Sequence, residues 1–171
     1  MKIRILSQIN IKVNTIKYVT LFLALTFISL NASSQVYTGG NASVNYDRGY
    51  YVDLAPLLGY RMGIVNVGVS PFYAYADREN HEPVYSFGAR LFTQLTFYKD
   101  IYAHVELQGE NVQIGKTKNR KWVLSLPVGF GYRYEIAPNT TAYGMILYDV
   151  LLNEDSPSRN PIIRGGVTYS F

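Results

Sequence analysis

The nearest thing to a catalytic spacing in this chain is His104 and Glu106, two residues apart in a run that alternates polar with apolar side chains. Two residues is the repeat of a strand, so both side chains leave on one face, where a carboxylate can orient an imidazole for general acid-base work. Ser125, on the following segment, is the nucleophile that such a pair would serve. A set of nucleophile, base and acid is recognised by its geometry, however, and the same residues equally describe a histidine held by a neighbouring acid in a structural network. The expectation is a protein that is not an enzyme, with no catalytic residues.

Three further groups have chemistry-bearing types. His81 between Glu79 and Glu82 has donors for a metal, but three such residues in a polar loop read as solvated, and no metal site is expected. Gly115-Lys116-Thr117 resembles half of a phosphate loop, yet Gly109 stands one residue too far upstream and no strand-to-helix context follows. The same stretch gathers Lys116, Lys118, Arg120 and Lys121 without an acid, which makes it a candidate headgroup-binding loop for anionic lipid, lipopolysaccharide included. The chain of 171 residues has no cysteine, which excludes disulfides, thiolate metal sites and lipidated cysteines. No cofactor is expected.

Net charge misleads until it is located. Of 16 Lys+Arg, the residues Lys2, Arg4, Lys12 and Lys17 precede the first acid, Asp47, and twelve basic residues then face twelve acidic ones. Without a basic patch spread over the body of the chain, nucleic acid is not expected as a partner. The basic stretch runs into Val19 to Leu30, an apolar segment too short to span a bilayer, and then into Ala32 and Ser34, a small-x-small pattern. We read residues 1–34 as a signal peptide cleaved after Ser34, against the alternative of an uncleaved anchor, with one domain at 35–171.

Positioning falls to strands. From Trp122 to Glu135 the residues Trp122, Leu124, Leu126, Val128, Phe130, Tyr132 and Tyr134 oppose Ser125, Pro127, Gly129, Gly131, Arg133 and Glu135. One face is large and apolar, the other small or charged. The division recurs over segments near 52–61, 65–75, 85–97, 103–110 and 163–171, with Leu57, Phe72 and Phe92 out of phase. Segments 37–47, rich in Gly and Asn, and 142–153, apolar on both faces, are weaker. Eight strands are expected in all.

A soluble sandwich or lipocalin-like barrel would alternate too. Side-chain size decides between them: glycines and charges suit a narrow, hydrated interior, while large apolar residues ending in tyrosine or tryptophan suit lipid with aromatic girdles at its interfaces. Connections near 62–63, 99–100 and 137–141 are short, and those at 77–83, 111–120 and 153–161 are longer and polar, as at the two ends of a membrane barrel. The fold class expected is all-β, a closed antiparallel eight-stranded transmembrane barrel, because hydrocarbon tolerates no open strand edge.

The terminal run Gly165-Gly166-Val167-Thr168-Tyr169-Ser170-Phe171 is similar to the last strand of bacterial outer-membrane barrels. With Leu54 to Tyr60, Phe87 to Phe92 and Asn160 to Arg164, it makes the chain resemble the small OmpA/OmpX-like barrels and the outer membrane protein beta-barrel domain family. The resemblance implies a bacterial outer-membrane location and handling by the barrel-assembly machinery, with Val167, Tyr169 and Phe171 as the assembly signal. The weak first strand departs from that pattern at its pairing with the last.

Strand phase turns Asp53, Arg61, Arg90, His104, Glu106, Glu110, Arg133, Glu135 and Arg164 inward, with Asp149 beside them. Charges in so small an interior must pair to offset desolvation, so a lumenal ion-pair network is expected, Arg90, Arg133 and Arg164 meeting carboxylates such as Glu106 and Glu135. The function expected is a structural or interaction role at the envelope. The alternatives are a lipid-modifying enzyme and a narrow channel.

Overall fold

The computed structural model describes residues 34–46, 49–78, 83–113, 120–151, 156 and 160–171. The signal-peptide reading, the His81 loop, Gly115-Lys116-Thr117, Lys116 and Lys118 lie outside them. Described strands are β1 (Ser34–Tyr46), β2 (Gly49–Met62), β3 (Val65–Arg78), β4 (Val84–Tyr98), β5 (Ile101–Gln113), β6 (Arg120–Ser125), β7 (Pro127–Ala137), β8 (Thr140–Asp149) and β9 (Ile162–Ser170). Consecutive strands pair antiparallel except β6 and β7, which both pair with β5, and β1 pairs with β9, which closes the sheet.

β5 pairs with β6 along one half and with β7 along the other, so β6 and β7 are two parts of one stave and the barrel has eight. The break falls at Leu126. Pro127 has no N–H to give the ladder, and Leu126 N turns to Asp149 Oδ1 at 2.9 Å instead. Side-chain phase survives the break: Trp122, Leu124, Phe130, Tyr132 and Tyr134 are exposed on the outside, while Val123, Ser125, Pro127 and Gly131 are buried.

Three two-residue turns mark one end of the barrel, each with a left-handed residue: Gly63 (φ 59), Lys99 (φ 45) and Asn139 (φ 61). Pro138 before Asn139 fits a turn that needs a fixed φ and then a positive one. Both ends of the described chain lie at this tight-turn end, and the longer connections lie at the other.

The weak first segment is a full strand. Residues Tyr37–Val44 are in register with Ile163–Ser170, and Gly39 and Gly166 let two backbones approach. A Cβ on Gly39 would fall on the Val167 carbonyl oxygen and the Thr168 Cα, and one on Gly166 on the Gly40 carbonyl oxygen. Small residues there reflect the closing seam.

The outside is apolar around the whole wall. Leu54 is 66% exposed, Leu91 61%, Phe130 64% and Ile146 63%, values that no water-soluble monomer sustains over a continuous surface. Aromatic rings border this band at both ends. Tyr46 and Tyr50 pair at 5.1 Å between centroids, and Phe87 and Trp122 at 6.3 Å, at the long-loop end; Tyr169 and Phe171 pair at 5.5 Å at the tight-turn end. From Tyr50 to Tyr60 a strand advances about 33 Å, or about 25 Å along the axis of a tilted barrel, the height of a lipid-facing band.

Candidate functional site in the barrel lumen

The out-of-phase residues point inward. Leu57, Phe72 and Phe92 are buried, beside Tyr37, Tyr51 and Tyr102. The reason is a repeated cross-strand device: an inward aromatic ring lies over a glycine directly opposite it on the neighbouring strand. The pairs are Tyr37 with Gly59, Phe92 with Gly68, Phe72 with Gly88, Tyr102 with Gly131 and Tyr143 with Gly166. Glycine on the inner face is therefore space for a ring, and the expectation of a narrow hydrated interior gives way to a packed one. A sequence signal existed: each out-of-phase aromatic faces a glycine once hairpin register is set.

The lumen is layered. Toward the long loops, Tyr51, Ala55, Phe72, Ala74 and Ala76 form an apolar cluster. Across the barrel, Met145, Leu147 and Ile162 form another, which explains why β8 looks apolar on both faces.

The middle layer holds the charges. Arg90 Nη1 and Nη2 donate to Asp53 Oδ1 and Oδ2 at 2.9 and 2.7 Å, and its Nε donates to Gln108 Oε1 at 2.8 Å. Its guanidinium stacks 4.0 Å from the Phe72 ring centroid and stands 3.6 Å from Glu106 Oε1. Arg164 donates to Glu106 Oε2 and Oε1 at 2.5 and 3.1 Å, and through Nε to Ser43 Oγ at 2.7 Å. Asp53, Arg90, Glu106 and Arg164 are thus one buried cluster of two cations and two anions, its pairs bidentate, which is the geometry that best repays desolvation.

His104 belongs to this cluster. Gln94 Nε2 donates to Nδ1 at 3.2 Å, which leaves Nε2 to donate to Glu106 Oε2 at 3.1 Å, and the ring stacks on Phe92 at 5.7 Å. Ser125 is not near it. Ser125 stands opposite Gln108, four residues along β5 and therefore about 13 Å from His104, so the three residues do not assemble.

Five predicted members stand outside the ion pairs. Glu110 is buried but accepts from Ser86 Oγ at 2.5 Å, Gln108 Nε2 at 3.0 Å and Tyr51 Oη at 3.4 Å. Asp149 caps backbone, accepting from Leu126 N and Leu151 N at 2.9 and 3.1 Å. Glu135 is exposed near the tight-turn end of β7, where water solvates it, so the expected pairing of an arginine with Glu135 does not form. Arg133 instead donates to Gln94 Oε1 at 2.9 Å and Thr96 Oγ1 at 3.2 Å, and stacks over Tyr102 at 4.3 Å. Arg61 lies 5.7 Å from the Tyr37 ring centroid, its Nε without a partner.

At the long-loop rim Arg120 donates to Asn111 Oδ1 at 3.0 Å and stacks over Phe87 at 5.2 Å, beside the exposed Lys121. Val167, Tyr169 and Phe171 all face outward. Among the described residues no three of His, Asp and Glu stand together as metal ligands.

No protein-family model matches this chain, and no curated protein matches it. Among solved structures, the crystal structure of Neisserial surface protein A (NspA) is similar at a TM-score of 0.49 and 16% identity, over 81% of this chain and 97% of that one. The chain's own closure, its apolar girdled outside and its filled lumen make it a small, closed, eight-stranded antiparallel β-barrel of the outer-membrane type.

Proposed function

We propose that this protein is exported by its basic, apolar leader and resides in a bacterial outer membrane as a packed barrel with a structural or interaction role, presenting its longer loops to the outside. The observation that carries this reading is the inversion of polarity: lipid-type side chains outside, and bidentate ion pairs in the middle of the lumen with aromatic rings around them. A lumen blocked by Arg90, Arg164 and Phe72 favours a scaffold over a channel. Its histidine lies between Gln94, Glu106 and Phe92, without a nucleophile, which favours a scaffold over a lipid-modifying enzyme. Lipid and lipopolysaccharide headgroups are the proposed contacts of Arg120 and Lys121 together with Lys116 and Lys118, and the barrel-assembly machinery is the proposed reader of Val167, Tyr169 and Phe171.

Membrane fractionation tests the location, with electrophoresis of unheated samples reporting the folded barrel. Recovery in the outer-membrane fraction is expected; recovery in the soluble periplasm would replace this reading with a soluble barrel. In planar bilayers the purified protein should pass no steady current. Capture from detergent-solubilised membranes should then identify what the loops hold.

A further inference from the structure

The tight-turn half of the lumen is built unlike the middle. It encloses a cavity of about 30 Å³, bordered by Tyr37, Tyr102, Arg61 and Arg133 and reaching the middle layer at Glu106 and Arg164, whose charges match each other. By that measure there is room for about two waters, or for one small ion in their place. Five buried side-chain atoms in the described barrel lack a hydrogen-bond partner, and four of them belong to residues that line this cavity: three donors, Tyr37 Oη, Tyr102 Oη and Arg61 Nε, and one acceptor, Asn41 Oδ1. Tyr37 is 4% exposed and Tyr102 is fully buried, so bulk water does not satisfy those hydroxyls.

The charge is uncompensated as well. Among the described residues neither Arg61 nor Arg133 has a carboxylate in ion-pair contact, whereas Arg90 and Arg164 are both matched. Arg133 meets only neutral acceptors: Gln94, Thr96 and, with its amide oxygen turned toward the guanidinium, Asn66 at 2.9 Å. Asp100 and Glu135 lie at the same end of the barrel but are exposed to water. Two half-buried cations with idle N–H and O–H donors around one small void are the complement of an anion.

We propose that this cavity binds a single small inorganic anion, of the class of phosphate or chloride, held by Arg61 and Arg133 with the hydroxyls of Tyr37 and Tyr102 as further donors. The wall of the barrel separates the site from lipid, so the ligand is a free ion entering from the tight-turn end, and a lipid headgroup does not qualify. The inference rests on the lumen alone and stands whether or not the loops have a partner.

The test uses the full barrel folded in detergent. Inorganic phosphate is titrated at constant ionic strength against gluconate, an anion too large for the void, and thermal unfolding is followed. The expected result is a saturable rise in melting temperature with phosphate that gluconate does not give, with chloride substituting in part. Arg61→Gln and Arg133→Gln should each weaken the apparent affinity about tenfold or more, the loss expected for one charge-assisted contact. Since an arginine variant can fail to fold, Tyr37→Phe and Tyr102→Phe, which remove only a hydroxyl, serve as the second arm and should weaken it severalfold. Identical curves for phosphate and gluconate would assign the void to water and overturn the proposal. An undiminished response in the folded arginine or tyrosine variants would place the anion elsewhere and overturn it equally.

Discussion

Replacing Glu106 by glutamine is the most informative single perturbation of the barrel, because one carboxylate serves three partners. It receives two hydrogen bonds from Arg164 and one from His104, and it stands 3.6 Å from Arg90. Glutamine preserves the volume and removes the charge. Arg90 keeps Asp53, but Arg164 keeps only neutral acceptors, the Ser43 hydroxyl and the one amide oxygen of the new glutamine, at a position where its side chain is 3% exposed. A pair of unit charges at 4 Å attracts by about 4 kcal/mol at an effective dielectric near 20, and leaving one partner of a buried pair unmatched costs about 3–5 kcal/mol in measured cases. We therefore expect Glu106→Gln to lower unfolding free energy by about 3–5 kcal/mol. Converting both partners, Glu106→Leu with Arg164→Met, removes the stranded charge and should recover about half of the loss or more. The assay is urea unfolding of the barrel in lipid vesicles, followed by the fluorescence of Trp122, the single tryptophan, which faces outward and passes from lipid to water. A loss below about 1 kcal/mol for Glu106→Gln, with no recovery in the double variant, would mean that water screens the cluster as it screens a surface pair, and the packed-lumen argument would fail.

Three other perturbations follow from particular contacts. Gly39→Ala places a methyl on the Val167 carbonyl at the closing seam, so it should cost about 1–3 kcal/mol and raise the unfolded fraction in unheated electrophoresis; full retention of the folded band would contradict the seam geometry. Phe171→Ala should slow assembly in cells, seen as accumulation of unfolded chain, while leaving the melting of the assembled barrel nearly unchanged, because Phe171 is 72% exposed and touches Tyr169 at the wall; equal loss in both measurements would make it a stability residue instead. His104→Ala should leave membrane lipid composition unchanged by mass spectrometry, and a lipid species that changes with the protein and reverts in that variant would establish an enzyme.

Much of this barrel can be read from spacing alone. Alternation with period two is a direct record of a wall with two different solvents, and it turns Asp53, Arg90, His104, Glu106 and Arg164, all buried, to one face because side-chain direction in a strand is a local property. Turn positions are local too, since Gly63, Lys99 and Asn139 need only their own backbone conformation. Pairing is not local. Which carboxylate meets which arginine depends on strands as far apart in sequence as β2 and β4 or β5 and β9, so Asp53 with Arg90 and Glu106 with Arg164 follow only once register and closure are set. Glu135 shares the inward phase, and its height along the barrel alone leaves it in water. The same holds for glycine. Phase marks Gly59, Gly68, Gly88 and Gly131 as inward but does not say whether water or a ring fills the space, and only the cross-strand partner supplies Tyr37, Phe92, Phe72 and Tyr102. The unmatched pair Arg61 and Arg133, on β2 and β7, becomes visible for the same reason: a local pattern records that a charge points inward, and tertiary structure decides whether anything is there to meet it.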